Sequence, residues 1–573
     1  IIHLGSWDIN IVIKYKDQDK NIPKNNELYD YLSNKEETMF KIEVAGGKIT
    51  EDIKEYKCAY KDFPKILLVM PPITLSEGTV KRVIPPLGLS YIGGMLKKKG
   101  IKYNILDCVV EGLATERKIP NGMWAYGLDD LSIAKKIKQY KPDIVGLSIV
   151  YSSDLDMLYN VAKIIKNIDN DIIVVAGGIH CTIYPREVLN ESVYNKKPSI
   201  DFIIRGEGEY RFVDFLSNIS QGLVDINADG LCGYYNGKVF INHQRSTIDN
   251  LDDLPLPDYE SLPMEKYFEF NVPFSPFPRG KRVMQIYTSR GCPIGCTFCA
   301  STNFSKAYRS RSPENVISEI KYYIDRYSID EIQFADDNLT LNKKRSIELF
   351  SLLEKCNIQW CTPNGIMINT LTQEVIDKMI RSGLYQITMS IDSGSERVLK
   401  EVHRKPVNLQ RVPDFVNYLK SNNVLVHATL VVGMPGETLE EIDEGFEYAL
   451  NLNLDSIGVF IAQALPGSEL YEKTIQNTSL TRTRGRLIDT AQSLHSISDI
   501  PKDILEKKIS DFIYKYNQIV KDRDPLAWES KYGDHIDRLA HIAIGNAAPN
   551  IDGIKQVIQP TPNETLLGII GQG

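Results

Sequence analysis

The stretch Ser289-Arg-Gly-Cys-Pro-Ile-Gly-Cys-Thr-Phe-Cys-Ala-Ser301 brings three cysteines, Cys292, Cys296 and Cys299, close together, directly after an apolar run at 283–288. Thiolates are the soft ligands that hold iron-sulfur clusters, and a cubane cluster has four iron corners to coordinate. Three neighbouring cysteines leave one corner open. The spacing therefore predicts a cluster with three protein ligands and one iron that is free to bind another molecule.

Two other interpretations of these cysteines are weaker. Gly291 and Gly295 give the loop the backbone freedom that three converging sulfurs require, whereas three unrelated buried cysteines would not need it. A structural zinc site needs four ligands, and no fourth cysteine or histidine lies nearby in the sequence. An iron-sulfur cluster accounts for the motif best.

The composition describes a folded protein with several domains. A chain of 573 residues predicts about three or four domains, each able to bury its own core. The net charge of -7 argues against a nucleic-acid-binding surface. The sequence has no apolar run of membrane-spanning length and no signal peptide, and its nine cysteines are scattered, so we expect a cytoplasmic protein.

A first region of alternating strands and helices begins near residue 63. Short apolar runs, separated by amphipathic segments such as 131–140 and 155–165, predict buried strands at 65–70, 103–107, 144–149, 172–176 and 202–205. Buried strands that alternate with helices form a parallel sheet with right-handed crossovers. We therefore expect an α/β fold that begins with a doubly wound parallel-sheet domain over 63–215, with its ligand at the carboxyl ends of the strands.

A second alternation follows a proline-rich segment. We interpret residues 216–281 as a linker that begins with a short β-rich tail. The run Leu251-Asp-Asp-Leu-Pro-Leu-Pro-Asp258 and further prolines exclude a long helix. Six apolar runs come next, at 283–288, 329–334, 359–366, 386–391, 425–432 and 456–461. They predict a partial (β/α)6 barrel over 282–475, with the cysteine motif at the carboxyl face where barrels place their chemistry.

The two ends of the chain carry less information. Residues 1–62 are polar, with a few β-like runs, and form an N-terminal extension whose role the sequence does not indicate. Residues 476–573 are expected to form a helical region whose end, from 547, is flexible. We therefore expect the chemistry within 63–475.

These motifs resemble those of a known enzyme family. The pattern CxxxCxxC after the first strand of a barrel resembles the radical S-adenosylmethionine enzymes. The preceding domain, with Pro71-Pro72, Pro86-Leu-Gly-Leu-Ser-Tyr91, Gly177-Gly-Ile-His180 and Gly206-Glu-Gly-Glu209, resembles the cobalamin-binding domain of their cobalamin-dependent subgroup. The likeness covers about residues 65–475. It implies three cofactors, a [4Fe-4S] cluster, S-adenosylmethionine and cobalamin.

The resemblance assigns ligand contacts to residues that match the motifs of the family. The three cysteines would hold the cluster. Contacts with S-adenosylmethionine would come from Phe298, Asp336, Asp337, Asn338, Ser390, Ser393, Glu396, Gly433 and Leu465. Contacts with cobalamin would come from Pro72, Gly88, Leu89, Ser148, Val150, Gly177, Gly178, His180, Gly206 and Glu207. A strand end or tight turn can require such residues for itself, and His180 fits a buried core histidine equally well. The catalytic residues stay unknown.

One feature of the methyl-carrying members is missing. They often supply an axial histidine to cobalt in a DxHxxG motif after the first strand, where this chain has Met70-Pro-Pro-Ile-Thr74. The similar segment Asp107-Cys-Val-Val-Glu-Gly112 follows another strand and has valine at the histidine position. We therefore expect cobalamin with its tail base displaced and without a protein histidine on cobalt.

The resemblance also implies a reaction. In methylases of this family, methylcobalamin supplies the methyl group, and a 5′-deoxyadenosyl radical made at the cluster removes hydrogen from the substrate. We expect a cobalamin-dependent radical S-adenosylmethionine methyltransferase that acts on an unactivated carbon, or on phosphorus, of a small metabolite or peptide. An electron donor such as flavodoxin or ferredoxin would be its partner. Two alternatives stay open: a cyclase, ring-contraction or oxidative enzyme without methyl transfer, and a non-catalytic cobalamin or iron-sulfur sensor.

Overall fold

The computed structural model describes most of the chain between residues 63 and 525. The described ranges are 63–75, 81–119, 122–235, 237–243, 245–271, 274–275, 278–477, 497–523 and 525. Near the start of the chain, the main chain of Ile2–His3, Asn10–Lys14 and Lys41–Val44 forms a separate antiparallel sheet. The flexible end expected from residue 547 lies outside the described residues. Both large sheets belong to one compact unit.

The first large sheet has seven strands, and five neighbouring ones, from Phe202–Ile204 to the edge strand Tyr103–Asp107, are parallel as expected. In spatial order the strands are Lys238–Ile241, Leu231–Tyr235, Phe202–Ile204, Ile173–Gly178, Ile144–Ile149, Ile66–Met70 and Tyr103–Asp107. The longer helices around them are Leu87–Lys98, Asp130–Tyr140, Leu155–Ile168 and Gly208–Ser220. Leu67, Val145 and Val174 from the strands pack with Ile133 and Leu158 from the helices in one buried core. Burial of apolar residues from both element types accounts for the continuous apolar runs in the sequence.

The first sheet extends into residues 216–281, which the sequence predicts to be a linker. The helix Gly208–Ser220 runs across residue 215, and the hairpin Leu231–Ile241 adds two antiparallel strands to the edge of the sheet. The proline-rich part that follows does connect the two sheets. Tyr267 donates to the buried Asp107 of the first sheet over 2.6 Å, and the N–H of Gly280 donates to Glu331 of the second over 2.7 Å.

The second large sheet consists of six parallel strands in sequence order, as the sequence predicts. They are Val283–Ile286, Glu331–Phe334, Gln359–Ile366, Leu384–Asp392, Leu425–Val432 and Ser456–Ile461. The connecting helices are Pro313–Tyr327, Lys343–Leu353, Gln373–Arg381, Val412–Ser421 and Leu439–Leu450. Ser312 caps the first of these helices, because its hydroxyl accepts from the N–H of Asn315 over 3.2 Å.

In the described part of the chain, two helices lie beyond the last strand, Glu469–Asn477 and Lys502–Arg523. The second of these helices packs on the domain that contains the second large sheet, since the Phe512 ring stacks on Phe446 with 4.2 Å between ring centroids. None of the described helices combines the length and the apolar character that a membrane span requires.

Candidate functional site

The cysteine loop, residues 292–299, follows the first strand of the second sheet at the carboxyl edge. Ser289–Arg290 pairs with Arg309–Ser310 in a short antiparallel ladder that frames the loop. Gly291 has a φ of 85°, and a Cβ there would lie 2.4 Å from the carbonyl oxygen of Ala307. Only glycine permits that approach, so the loop can turn sharply at its base.

None of the three thiols of the loop is in a disulfide bond, and all three are partly exposed. Burial raises the pKa of Cys292 and raises that of Cys296 to about 12, and the neighbouring thiols add to both shifts. A metal centre is therefore needed to hold them as thiolates. No set of three or more His, Cys, Asp or Glu side chains in the described residues is arranged around a single ion position. Because a cluster spreads its thiolate ligands over separate iron corners, the three cysteines fit a cluster better than one ion.

Main-chain groups from two other segments hold the middle of the loop. The N–H of Thr297 donates to the carbonyl of His403 over 3.1 Å, and its hydroxyl donates to the carbonyl of Val402 over 2.8 Å. The N–H of Leu470 donates to the carbonyl of Thr297 over 2.9 Å. The half-buried Phe298 ring stands edge-on to the His403 ring, with 5.3 Å between centroids. His403 and Thr297 carry no motif signal in the sequence.

The residues predicted at the end of the second strand divide into two roles. Asp336 is buried and accepts from the N–H and hydroxyl of Thr288, at 3.1 and 2.7 Å, and from the hydroxyl of Ser289. This carboxylate ties two strand ends together and is occupied by protein donors. Asp337 is exposed, and the buried Asn338 has an Oδ1 without a hydrogen-bond partner among the described residues. Asn338 and Asp337 are therefore the residues here that fit a ligand ammonium group.

The remaining residues predicted for S-adenosylmethionine lie at later strand ends. Ser390 is half-buried, Glu396 is exposed and Leu465 is 37% exposed. Ser393 is buried and accepts from the N–H of Ser395 over 3.1 Å. Gly433 has a φ of 79°, and its N–H donates to the buried Glu437 over 2.6 Å. The carboxyl ends of these parallel strands thus lie on one edge of the sheet, while Ser393 stabilises its own turn.

A buried ion pair that the predicted ligand set omits lies next to the cysteine loop. Lys405 donates to Asp392, and both side chains are nearly inaccessible to solvent. Asp392 has a φ of 66°, unusual for a residue other than glycine, and also accepts from Thr429 over 3.3 Å. A strained residue at a strand end marks a functional edge. The only sequence signal for Lys405 is the basic run His403-Arg-Lys405.

The residues predicted for cobalamin collect at the carboxyl edge of the first sheet. Ser148 and Gly177 lie side by side in the parallel register, followed by Ile149 beside Gly178. A Cβ on Gly88 would meet nothing within 4 Å, and one on Gly177 would meet only a carbonyl at 3.8 Å. Val150 is 47% exposed beside them. Open space next to glycines and an exposed apolar side chain fit a large ring with apolar faces.

Other residues predicted for cobalamin have structural roles in the protein. A Cβ on Gly178 would lie 1.9 Å from the carbonyl oxygen of Ile149, and one on Gly206 would lie 2.3 Å from that of Ser246, so both glycines allow main chains to approach. Pro72 and Leu89 are buried. None of these four residues presents an exposed side chain to a ligand.

His180 and Glu207 also have protein partners. The Nδ1 of His180 bonds to the hydroxyl of Ser152 over 2.7 Å, and burial lowers the pKa of His180 to about 4, so its ring is neutral. The alternative of a satisfied core histidine describes it well. Both carboxylate oxygens of Glu207 bind Arg309, at 2.7 and 2.8 Å. Glu207 therefore joins the two domains, which its position at a strand end did not indicate.

The edges of the two sheets face each other. The short helix Ile179–Ile183, after the predicted cobalamin glycines, lies next to Ser301–Phe304, after the cysteine loop. The hydroxyl of Tyr184 accepts from the N–H of Gly467 over 3.1 Å. A Cβ on Gly467 would lie 2.5 Å from the end of the Ile183 side chain, and the φ of 89° at this position favours glycine.

Comparison with known proteins relates both domains to described families. Residues 286–449 match the Radical SAM superfamily, and residues 76–216 match the B12 binding domain. The chain is 32% identical over 502 residues to cytidylyl-2-hydroxyethylphosphonate methyltransferase of Streptomyces wedmorensis, covering 81% of this chain and 91% of the relative. It is 34% identical over 470 residues to an uncharacterized methyltransferase of Pyrococcus horikoshii, covering 80% and 94%.

A solved structure shares the fold. The radical S-adenosylmethionine methyltransferase TsrM from Kitasatospora setae, with cobalamin and a [4Fe-4S] cluster bound, superposes with a TM-score of 0.58. The alignment has 15% sequence identity and covers 73% of this chain and 75% of TsrM. The arrangement of a cobalamin-binding sheet before a radical S-adenosylmethionine sheet is therefore an observed architecture.

Proposed function

Since the chain belongs to the cobalamin-dependent radical S-adenosylmethionine methyltransferases, which use a [4Fe-4S] cluster, S-adenosylmethionine and cobalamin, we propose that it methylates an unactivated carbon of a small phosphonate metabolite. The substrate class is supported by the name of the Streptomyces wedmorensis relative, whose sequence this chain matches over most of its length. A nucleotidyl phosphonate is therefore the first substrate to test.

One structural relationship carries the proposal. The carboxyl edges of the two sheets meet at the contact between Tyr184 and Gly467, where the N–H to hydroxyl distance is 3.1 Å. When bound, the cluster supplies the electron that cleaves S-adenosylmethionine and cobalamin carries the methyl group. The residues of this chain hold the two sites face to face.

We also propose how the cofactors are held. Cys292, Cys296 and Cys299 bind the cluster, and Asn338 accepts from the ammonium group of S-adenosylmethionine. Gly88 and Gly177 border the corrin ring, and His180 lies beside it rather than on cobalt, since the axial-histidine motif of the family is replaced here by Met70-Pro-Pro-Ile-Thr74. The neutral, hydrogen-bonded ring fits a packing role beside the ligand.

The setting of the enzyme completes the proposal. None of its described cysteines is in a disulfide bond, which suits the reducing cytoplasm. Each cleavage of S-adenosylmethionine consumes one electron from the cluster, so a small electron carrier such as flavodoxin or ferredoxin must reload it. The half-buried Phe298 within the loop and the exposed Asp337 mark the side from which the loop is accessible.

Product stoichiometry tests the function. The anaerobically reconstituted full chain is incubated with S-adenosylmethionine, a low-potential reductant and cytidylyl-2-hydroxyethylphosphonate. We expect S-adenosylhomocysteine, 5′-deoxyadenosine and methylated product in equal amounts. An enzyme that cyclises or oxidises its substrate would yield 5′-deoxyadenosine without stoichiometric S-adenosylhomocysteine, and a sensor would cleave no S-adenosylmethionine. Either result contradicts the proposal.

A further inference from the structure

Four charged side chains from the two domains form one cluster at the base of the cysteine loop, which we call the domain clamp. Glu207 and Glu209 come from the first domain, and Arg290 and Arg309 from the second. Arg309 binds Glu207 with two parallel bonds of 2.7 and 2.8 Å. Arg290 binds Glu209 at 2.7 Å and Glu207 at 3.2 Å. The glutamate side chains are only 6% and 7% exposed, so these ion pairs are shielded from solvent.

The domain clamp connects the two places where the cofactors are expected. Glu207 and Glu209 flank the start of the helix Gly208–Ser220, directly after a strand end of the first sheet. Arg290 and Arg309 are directly paired residues of the short ladder that frames the cysteine loop. Any shift of this ladder against the first sheet would stretch several charge-assisted bonds at once.

Further contacts fix the orientation of the clamp. Glu207 accepts from the N–H of Ile248 over 2.6 Å, and Arg309 donates to the Ile248 carbonyl over 2.5 Å. The Arg290 guanidinium lies 5.2 Å from the centroid of the Tyr91 ring, in the helix Leu87–Lys98. Both oxygens of the Glu207 carboxylate and the paired N–H groups of Arg309 are thus engaged in hydrogen bonds. The ion pair therefore has one geometry.

The chemistry of the clamp indicates a positioning role. Apolar side chains of similar volume would hold two domains together at least as strongly as buried ion pairs, but they would permit sliding. Parallel bonds between a guanidinium and a carboxylate fix distance and direction. We propose that the domain clamp sets the position of the cysteine loop relative to the cobalamin-binding edge, and thereby the fraction of cleaved S-adenosylmethionine that leads to methyl transfer. This inference rests on the proposed function.

The interface has a second attachment, which makes the proposal testable. The contact between Tyr184 and Gly467 lies outside the clamp, and we expect it to remain when the clamp is weakened. A clamp variant should therefore keep its domains together, bind iron and cleave S-adenosylmethionine, but with a displaced loop. Misplacement of reacting groups by about 1 Å can cost about 100-fold in rate.

The experiment uses Glu209→Gln and Arg309→Lys in the full chain. Arg309→Lys keeps the charge but cannot form the two parallel bonds. The matched control is Lys166→Met, which removes a shielded ion pair with Asp201, at 2.7 Å, inside the first domain. In reconstituted protein we expect 5′-deoxyadenosine formation within about twofold of the unmodified chain, and a ratio of methylated product to 5′-deoxyadenosine at least about tenfold lower. The control should keep the ratio.

A readout independent of activity separates this inference from the proposed function. Hydrogen exchange of the apo protein should rise at 289–310 and 206–209 in both clamp variants and stay unchanged there in Lys166→Met. The distribution of dipolar couplings between cobalt(II) and the reduced cluster, measured by electron paramagnetic resonance, should become broader in both clamp variants. If the unmodified chain makes no methylated product, the proposed function fails, and these two readouts still decide the clamp. Unchanged coupling in both variants, or an unchanged product ratio beside increased exchange, would overturn the positioning role.

Discussion

The N–H of Thr297 donates to the carbonyl oxygen of His403 over 3.1 Å, in the middle of the cysteine motif. The carbonyl of Thr297 in turn accepts from the N–H of Leu470 over 2.9 Å. The middle of the loop is therefore anchored by main-chain bonds to two distant segments. These bonds do not involve the sulfurs, so they are compatible with cluster binding by all three cysteines.

Replacing Cys296 by alanine should abolish S-adenosylmethionine cleavage and lower the bound iron, because a cluster with one open corner needs all three thiolates. Iron per chain and 5′-deoxyadenosine are measured after anaerobic reconstitution. The control is Cys356→Ala, which removes another partly exposed free thiol of the same domain. Full iron content in the Cys296 variant, or equal iron loss in both variants, would contradict the cluster assignment.

The buried pair Lys405 and Asp392 predicts a large effect on stability. Lys405→Met leaves the Asp392 carboxylate, 4% exposed, without its cation, which should cost about 3–5 kcal/mol in the free energy of unfolding. The double variant with Asp392→Asn should recover most of the loss, since the uncompensated charge is gone. Chemical denaturation of the apo protein measures both.

The exposed pair Lys343 and Glu374, at 3.0 Å, provides the control for that experiment. Because solvent screens it, Lys343→Met should cost less than about 1 kcal/mol. A Lys405→Met loss as small as that of Lys343→Met would show that Asp392 is not held as a charged residue. No recovery in the double variant would mean that packing of the lysine stem, rather than charge, dominates.

The strands of both sheets could be predicted from the sequence because they are buried on both faces. Such strands appear as continuous apolar runs, and 359–366, 425–432 and 456–461 coincide with observed strands. Cysteine spacing is equally local, so the loop and its place after the first strand of the second sheet could be predicted. Both features depend only on residues that are close in the chain.

Pairings across the fold could not be predicted in this way. The partner of Glu207 is Arg309, 102 residues away, and the partner of Asp336 is Thr288, 48 residues away. A polar residue at a strand end has the same local pattern whether it binds a ligand or another strand. The hairpin Leu231–Ile241 is a similar case, because an edge hairpin and a β-rich linker have similar composition. Only the packed structure distinguishes them.

Asp154 predicts a pH dependence of stability. It is fully buried, accepts from the N–H of Thr74 over 2.8 Å, and burial raises its pKa to about 7. Its folded pKa exceeds the unfolded value of about 3.9, so the folded state binds more protons between these values. Stability should therefore fall as pH rises from about 4 to about 7, by up to about 1.4 kcal/mol per pH unit from this group.

Asp154→Asn removes the titrating group while keeping its shape. The difference in unfolding free energy between the variant and the unmodified chain, measured by denaturation at several pH values, should grow from pH 4 to pH 7 in favour of the variant and then level off. A difference that does not change with pH would show that Asp154 titrates normally in the folded protein.

Gly88 tests the cobalamin-binding edge without disturbing the fold. It is exposed in the first turn of the helix Leu87–Lys98, and a Cβ there would meet nothing within 4 Å. Gly88→Phe should leave the unfolding midpoint unchanged but weaken hydroxocobalamin binding by about tenfold or more, because about 1.4 kcal/mol of steric conflict suffices for that loss.

Titration of the apo protein measures the affinity. Leu131→Phe, at a side chain that is 83% exposed, is the surface control and should bind normally. Gly178→Ala should instead destabilise the protein, because its Cβ would collide with the backbone of Ile149. Normal cobalamin affinity in Gly88→Phe would remove this glycine from the binding edge.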